Sequence, residues 1–191
     1  MHSGCIVLAA GAATRMGRLK QILPYHGKTL VEHAVEQALG AGFDSVSVVI
    51  GAESEAVRAA LLSCPVRIVE NPRWELGMGS SIAAGVESLL TASSLAILLA
   101  DQPYVESRHL LEMEALLESS GALAVAAEYN NTLGVPAFFK RDLFPALQSL
   151  DPAAGARALL RTHAVPFSLP EAAVDVDTPR DFEKLVLRGN P

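Results

Sequence analysis

Along this chain, short apolar runs alternate with segments whose apolar residues recur every three or four positions. The first run, Cys5 to Ala10, reads as a buried strand, and Leu30, Val31, Ala34, Val35, Ala38 and Leu39 then mark one face of a helix over 29–39. The β-branched run Val46–Ile50, ended by Gly51, predicts a second strand. The same pattern predicts a helix over 53–62, a strand over 66–69, a helix over 80–90 and a strand over 95–100. A helix over 107–117, an apolar segment over 122–127, an extended piece over 134–140 and a short helix over 142–150 follow. Val174 to Asp177 alternates apolar and acidic residues, which predicts a last strand before a helix from Pro179 to Leu187. Strands interleaved with amphipathic helices need cover on both faces of a sheet, so the fold class is α/β with a doubly wound, mostly parallel sheet. Leu95–Ala100 is the most apolar strand and belongs at the centre of that sheet. Such sheets bind ligands beyond the carboxyl ends of their strands.

Composition narrows the function classes. A chain of 191 residues, half of them hydrophobic, predicts one domain over 1–191. Only 19% of residues are charged, the net charge is −6 and aromatics are 5%, which argues against a nucleic-acid partner. Cys5 and Cys64 read as reduced buried thiols, and the scattered His2, His26, His33, His109 and His163 offer no zinc spacing. No cationic, hydrophobic signal segment opens the chain, and 95–100 is too short to cross a bilayer. The expectation is a soluble cytoplasmic protein with no membrane partner.

Chemistry concentrates where the first strand ends. Leu8-Ala9-Ala10-Gly11 passes through small residues into a loop that carries Arg15, Arg18 and Lys20 within six positions. Small residues let backbone N–H groups approach oxygen closely, and Arg and Lys add charge-assisted hydrogen bonds, so the stretch reads as a grip on a polyphosphate. It is not a P-loop: five residues separate Gly11 from Gly17, and Arg18 follows where Lys is required. Gly27-Lys28-Thr29 lacks the first glycine of that pattern and reads as a turn into a helix, and the three-glycine dinucleotide fingerprint is absent.

Two further stretches carry candidate chemistry. Asn71 to Ile82 contains the only Trp and places Gly79, Ser80 and Ser81 at a helix start, where hydroxyls and free N–H groups suit capping or hydrogen bonding to a base or ribose. Asp101 ends the most apolar strand and is followed by Gln102-Pro103. A carboxylate so placed is a candidate Mg²⁺ ligand, because magnesium takes one or two carboxylates plus phosphate oxygens. On the expected last strand Asp175 and Asp177 share a face and are candidates for the same cation, Asp177 ahead of Asp175; Thr178 and Pro179 read as a helix cap and first turn.

The loop Leu8-Ala-Ala-Gly…Arg15-Met-Gly…Lys20 with Leu23-Pro24 resembles the signature of the small nucleotidyltransferases that handle the molybdenum cofactor. Ala9-Ala10 before Gly11, Asn-Pro-x-Trp with Gly-Met-x-Ser-Ser, and Asp-Gln-Pro are similar to the cytidylyltransferase branch. Two departures stand out: Ala13, where the family has Ser or Gly, and Pro152-Ala153 in place of Gly-Asp before Gly155 and Arg157. The resemblance implies a Rossmann-like nucleotidyltransferase fold, with a nucleotide site at Leu8, Ala9, Ala10, Gly11, Arg15, Lys20, Gly79, Ser80, Ser81 and Asp101. It implies Arg15, Lys20 and Asp101 as the catalytic set and Mg²⁺ on Asp101 with Asp177 or Asp175. The Gly134-x-Pro136 strand would border the acceptor. The implied donor is CTP, the acceptor molybdopterin carrying molybdenum, and the recipient of the product a molybdenum hydroxylase. Two alternatives stay open: a nucleotidyltransferase for a sugar phosphate or other phosphorylated metabolite, and a carrier that holds the finished cofactor without turnover.

Overall fold

Every residue of the first strand, β1 (Ser3–Ala9), is buried, because strands flank it on both edges and helices cover both faces. The computed structural model describes residues 2–12 and 16–188. A two-residue turn joins β2 (Pro24–Tyr25) to β3 (Lys28–Thr29) and leads into α1 (Leu30–Gly40). Thr29 caps that helix: it accepts the Glu32 N–H at 3.3 Å, and its own N–H donates to Glu32 Oε2 at 2.7 Å. A reciprocal cap of this kind is worth about 1 kcal/mol. Next come β4 (Ser45–Ile50), α2 (Ser54–Ala60), β5 (Arg67–Glu70), α3 (Met78–Glu87), β6 (Ser94–Leu99) and α4 (Ser107–Ser119). The chain continues through β7 (Ala124–Tyr129), β8 (Thr132–Lys140), α5 (Phe144–Gln148), α6 (Arg157–His163), β9 (Ala164–Ser168) and α7 (Pro179–Arg188).

Seven strands form one sheet in the order β5-β4-β1-β6-β8-β7-β9, so the apolar β6 is its middle strand, as its composition predicts. Pairing is parallel from β5 through β6, with Val7 opposite Val48 and Leu98. The strand β8 runs antiparallel to both its neighbours, and β9 pairs parallel with β7. Alternation along β1 divides the core: Cys5, Val7 and Ala9 pack under α1, α2 and α4, while Ile6, Leu8 and Ala10 face α3, α5 and α6. In β8, Phe138 and Phe139 go to opposite faces and are fully buried, about 1.5–3 kcal/mol of apolar burial each. A third, smaller cluster seats α7 through Leu185 against Met16, Leu23, Tyr25, Leu30 and Val176.

One expected strand does not form. Residues 174–177 are irregular, and the far edge of the sheet is instead taken by β9, which the hydrophobic pattern left unread together with α6. Alternation at Val174–Asp177 arises for another reason: Val176 is anchored in the third cluster and its N–H donates to the Asp101 carbonyl at 3.1 Å, while Asp175 keeps part of its surface in water. The segment therefore crosses the end of β6 rather than lying in the sheet.

Candidate active site

At the carboxyl ends of β1 and β6 the chain leaves a cavity of about 330 Å³. Leu8, Ala10, Gly11 and Ala12 line it from the end of β1, and Leu99, Ala100 and Asp101 from the end of β6. Lys20 and Gln21 close one side, Trp74, Glu75 and Gly77 come from the turn that leads into α3, and Met78 and Ser81 from its first residues. Its lining is mostly apolar, with Lys20, Gln21, Glu75, Ser81 and Asp101 as the polar side chains.

Lys20 is the electrostatic centre. Its ammonium donates to Asp101 Oδ2 and, at 2.7 Å, to Asp177 Oδ1, so one cation joins the middle strand to the crossing segment. Burial by itself lowers the lysine pKa, but the two carboxylates outweigh it and the net shift is upward. Lys20 is thus fully charged at neutral pH. Gln21 beside it is 2% exposed, and its amide donates to the carbonyls of Ala9 at 3.2 Å and Gly11 at 2.7 Å, which ties the entry of the basic loop to β1.

Asp175 lies in the field of the same carboxylates. Burial, with Asp101 and Asp177 adding to it, pushes its pKa from 3.8 up to about 6. A raised carboxylate favours folding in its protonated form, so its contribution is whole below the unfolded pKa and is lost as pH rises through the folded one. Asp175→Asn in EDTA is expected to be more stable than the parent at pH 7.5, by about 1 kcal/mol once solvent screening of this part-exposed residue is allowed for. The gap should close by pH 4; urea midpoints across that range check it, and a constant gap would contradict it.

Of the residues singled out in the sequence, Leu8, Ala10, Gly11, Lys20, Ser81 and Asp101 meet at this cavity, and Asp177 joins them through Lys20. Arg15 lies outside the described residues. Ala9 turns to the opposite face of the sheet and contributes its carbonyl to Gln21. Ser80 accepts from the Asn71 amide at 2.9 Å and offers its proton to the carbonyls of Gly77 at 2.8 Å and Arg73 at 3.0 Å, all within the protein. Gly79 sits against the 151–154 turn: a Cβ there meets the Asp151 carbonyl oxygen at 2.2 Å and that of Ala154 at 2.6 Å. Gly79→Ala is expected to cost about 1–3 kcal/mol in urea unfolding, by overpacking against backbone that cannot give way. An unchanged midpoint would show that the turn yields.

Gln21, Trp74, Met78 and Leu99 also line the cavity and were not among the residues expected there. A signal existed for Trp74, the only Trp, in a loop bounded by strand and helix. Its place depends on Gly51, where a Cβ would meet the Trp74 Cβ at 2.6 Å. Met78 lies in the Gly-Met-x-Ser-Ser stretch that carries the resemblance, whereas nothing local marks Gln21 or Leu99.

The residues present suit a divalent cation in one respect. Asp101 Oδ1 is buried with no hydrogen-bond partner among the described residues, beside the Asp101–Lys20–Asp177 bridge, and two carboxylates plus substrate phosphates meet the needs of Mg²⁺. Among the described residues, no group of three or more His, Cys, Asp or Glu is arranged to hold a metal. Also among them, no helix is long and apolar enough to cross a membrane.

The mostly parallel sheet with helices on both faces is a Rossmann-like fold, shared with solved nucleotidyltransferase-like structures. The chain belongs to the family of MobA-like NTP transferase domains, whose model matches residues 5–167. It is 35% identical over 196 residues to the nicotine blue oxidoreductase of Paenarthrobacter nicotinovorans, with 95% of each chain covered. It is 29% identical to the purine catabolism protein PucB of Bacillus subtilis, with 93% of each covered. Among solved structures it is similar to Rv0371c of Mycobacterium tuberculosis H37Rv, at 28% identity, 97% coverage of both chains and a TM-score of 0.81. A second structure of Rv0371c, in complex with manganese, aligns at 27% identity and a TM-score of 0.73 over 98% of this chain and 99% of that one.

Proposed function

We propose that this chain transfers CMP from CTP to the terminal phosphate of a molybdopterin-type cofactor, with Mg²⁺ and with release of pyrophosphate. The observation that carries the reading is Lys20, held between Asp101 and Asp177 and lining a mostly apolar cavity at the ends of β1 and β6. A base fits the cavity, the triphosphate runs along the loop after β1, and the acceptor approaches from the side of Asp101 and Asp177. Lys20 then exchanges a carboxylate for phosphate oxygens and holds the pyrophosphate as it leaves, with Arg15 as its companion by family resemblance.

An acceptor phosphate oxygen attacks the α-phosphorus, forming one P–O bond as the bond to the β-phosphate oxygen breaks. The nucleophile is already ionised near neutral pH, so no side chain has to remove a proton. Catalysis rests on positioning and on neutralising charge. Asp101 and Asp177 would hold Mg²⁺, which when bound supplies charge neutralisation at the reacting phosphates. Support for a divalent ion comes from the unpartnered Asp101 Oδ1 and from the manganese complex of Rv0371c.

Pyrophosphate release with Mg²⁺, each of CTP, GTP, ATP and UTP, and molybdenum-loaded molybdopterin tests the reading. Release with CTP alone supports it. Release only with sugar phosphates or other phosphorylated metabolites keeps the chemistry and changes the acceptor. A second reading, oxidoreduction, is favoured by the name of the 35%-identical relative. Bleaching of nicotine blue by the protein with a reduced nicotinamide cofactor, without pyrophosphate release in the first assay, would select it.

A further inference from the structure

Two adjacent serines open α3, and they differ in what they have left to offer a ligand. The Asn71 carboxamide is 3% exposed, and its amide forks to both hydroxyls, at 2.9 Å to Ser80 Oγ and 3.1 Å to Ser81 Oγ. Each serine oxygen is therefore an acceptor inside the protein, and each proton must go elsewhere. Ser80 spends its proton on the Gly77 and Arg73 carbonyls. The proton of Ser81 has no acceptor among the described residues, and Ser81 lines the cavity.

We infer that Asn71 is a positioning residue that makes Ser81 a hydrogen-bond donor into the cavity, so that the site selects a ligand presenting a lone pair there, such as the carbonyl of a pyrimidine base or a ribose oxygen. This rests on the reading of the cavity as a nucleotide site. The assignment of the amide is chemically constrained, because Asn71 Oδ1 accepts the Arg73 N–H at 3.0 Å and so occupies the other side of the fork. Asn71 is itself fixed by its backbone, with its N–H on the Ile50 carbonyl at 2.9 Å and its carbonyl accepting from Trp74 at 3.3 Å. One residue thus sets both the polar contact of the cavity and the start of its Trp74 wall. In an apolar enclosure, a donor left unpaired by the wrong ligand edge is costly, which turns one proton's direction into selectivity.

Asn71→Asp tests this with almost no change of shape. A carboxylate accepts but cannot donate, so it still takes the Arg73 N–H but draws the proton of Ser81 inward, and Ser81 is left as an acceptor towards the ligand. Dissociation constants for CTP with Mg²⁺, measured by calorimetry, are expected to rise at least tenfold in Asn71→Asp and similarly in Ser81→Ala. In the double variant the second change should add less than twofold, because both remove the same donor. Two effects that multiply would mean a merely structural role for Asn71 and would overturn the inference, as would an unchanged affinity in Asn71→Asp. Should the buried carboxylate prevent folding, Asn71→Ala is used instead: it frees the Ser81 hydroxyl to turn without reversing it, so a smaller loss of CTP affinity that disappears in the Ser81→Ala background is expected, and an unchanged affinity would overturn the inference. A parent protein that binds no nucleotide at all would instead fail the reading of the cavity, and this inference with it.

Discussion

Asp101→Ala is expected to slow nucleotidyl transfer by roughly 10²-fold or more, the loss seen when a preorganised electrostatic group is taken from a reacting centre. The backbone should hold, since the bond from Val176 N–H goes to the Asp101 carbonyl, which alanine keeps. What disappears is the carboxylate that accepts from Lys20 and whose second oxygen is buried and unpartnered among the described residues. Asp101→Asn separates charge from shape: it fills the same space and should be nearly as slow. Single-turnover rates of pyrophosphate release, with melting temperatures to confirm folding, decide it. A near-normal rate for Asp101→Ala would remove this carboxylate from the mechanism.

Lys20→Met should be as slow, and it should also leave a second mark. The side chains of Lys20 and Asp101 are 18% and 11% exposed and that of Asp177 46%, so deleting the cation strands two carboxylates, one of them well buried. Taking one partner from a buried pair costs 3–5 kcal/mol; with Asp177 half in water the expected loss is about 2 kcal/mol. Because the lysine pKa is raised, the pair's contribution is intact across the neutral range and fades only as pH climbs through that folded value, so the loss should be flat from pH 6 to 9. The two carboxylates, left without their ammonium, should take up a divalent ion more readily. Mn²⁺ is expected to raise the melting temperature of Lys20→Met by more than that of the parent, even though the variant is slower. A smaller rise than in the parent would mean that Lys20 does not stand where the ion binds.

These expectations join residues 157 positions apart, as in the bond from Lys20 to Asp177, and the contrast between what was legible and what was not follows from that distance. Apolar runs at 5–10, 46–50 and 95–100 become β1, β4 and β6, because a parallel strand covered on both faces has to be apolar throughout, whatever its neighbours are. The capped start of α1 is equally local: Thr29 and Glu32 meet within one turn. The basic loop and Asp101 were legible as chemistry because each follows directly on such a strand.

By itself the sequence determined the α/β class with its mostly parallel sheet and the strand at the sheet's centre. Only the tertiary structure decided that β9 takes the edge in place of 174–177, that Gly79 yields its space to the 151–154 turn while Ser81 faces the cavity, and that Lys20 bridges Asp101 and Asp177. The physical reason is range. Burial periodicity and capping act within a few residues of chain, whereas an edge, a close backbone approach or an ion pair is chosen by whichever segment packs nearest, and no local pattern records that choice.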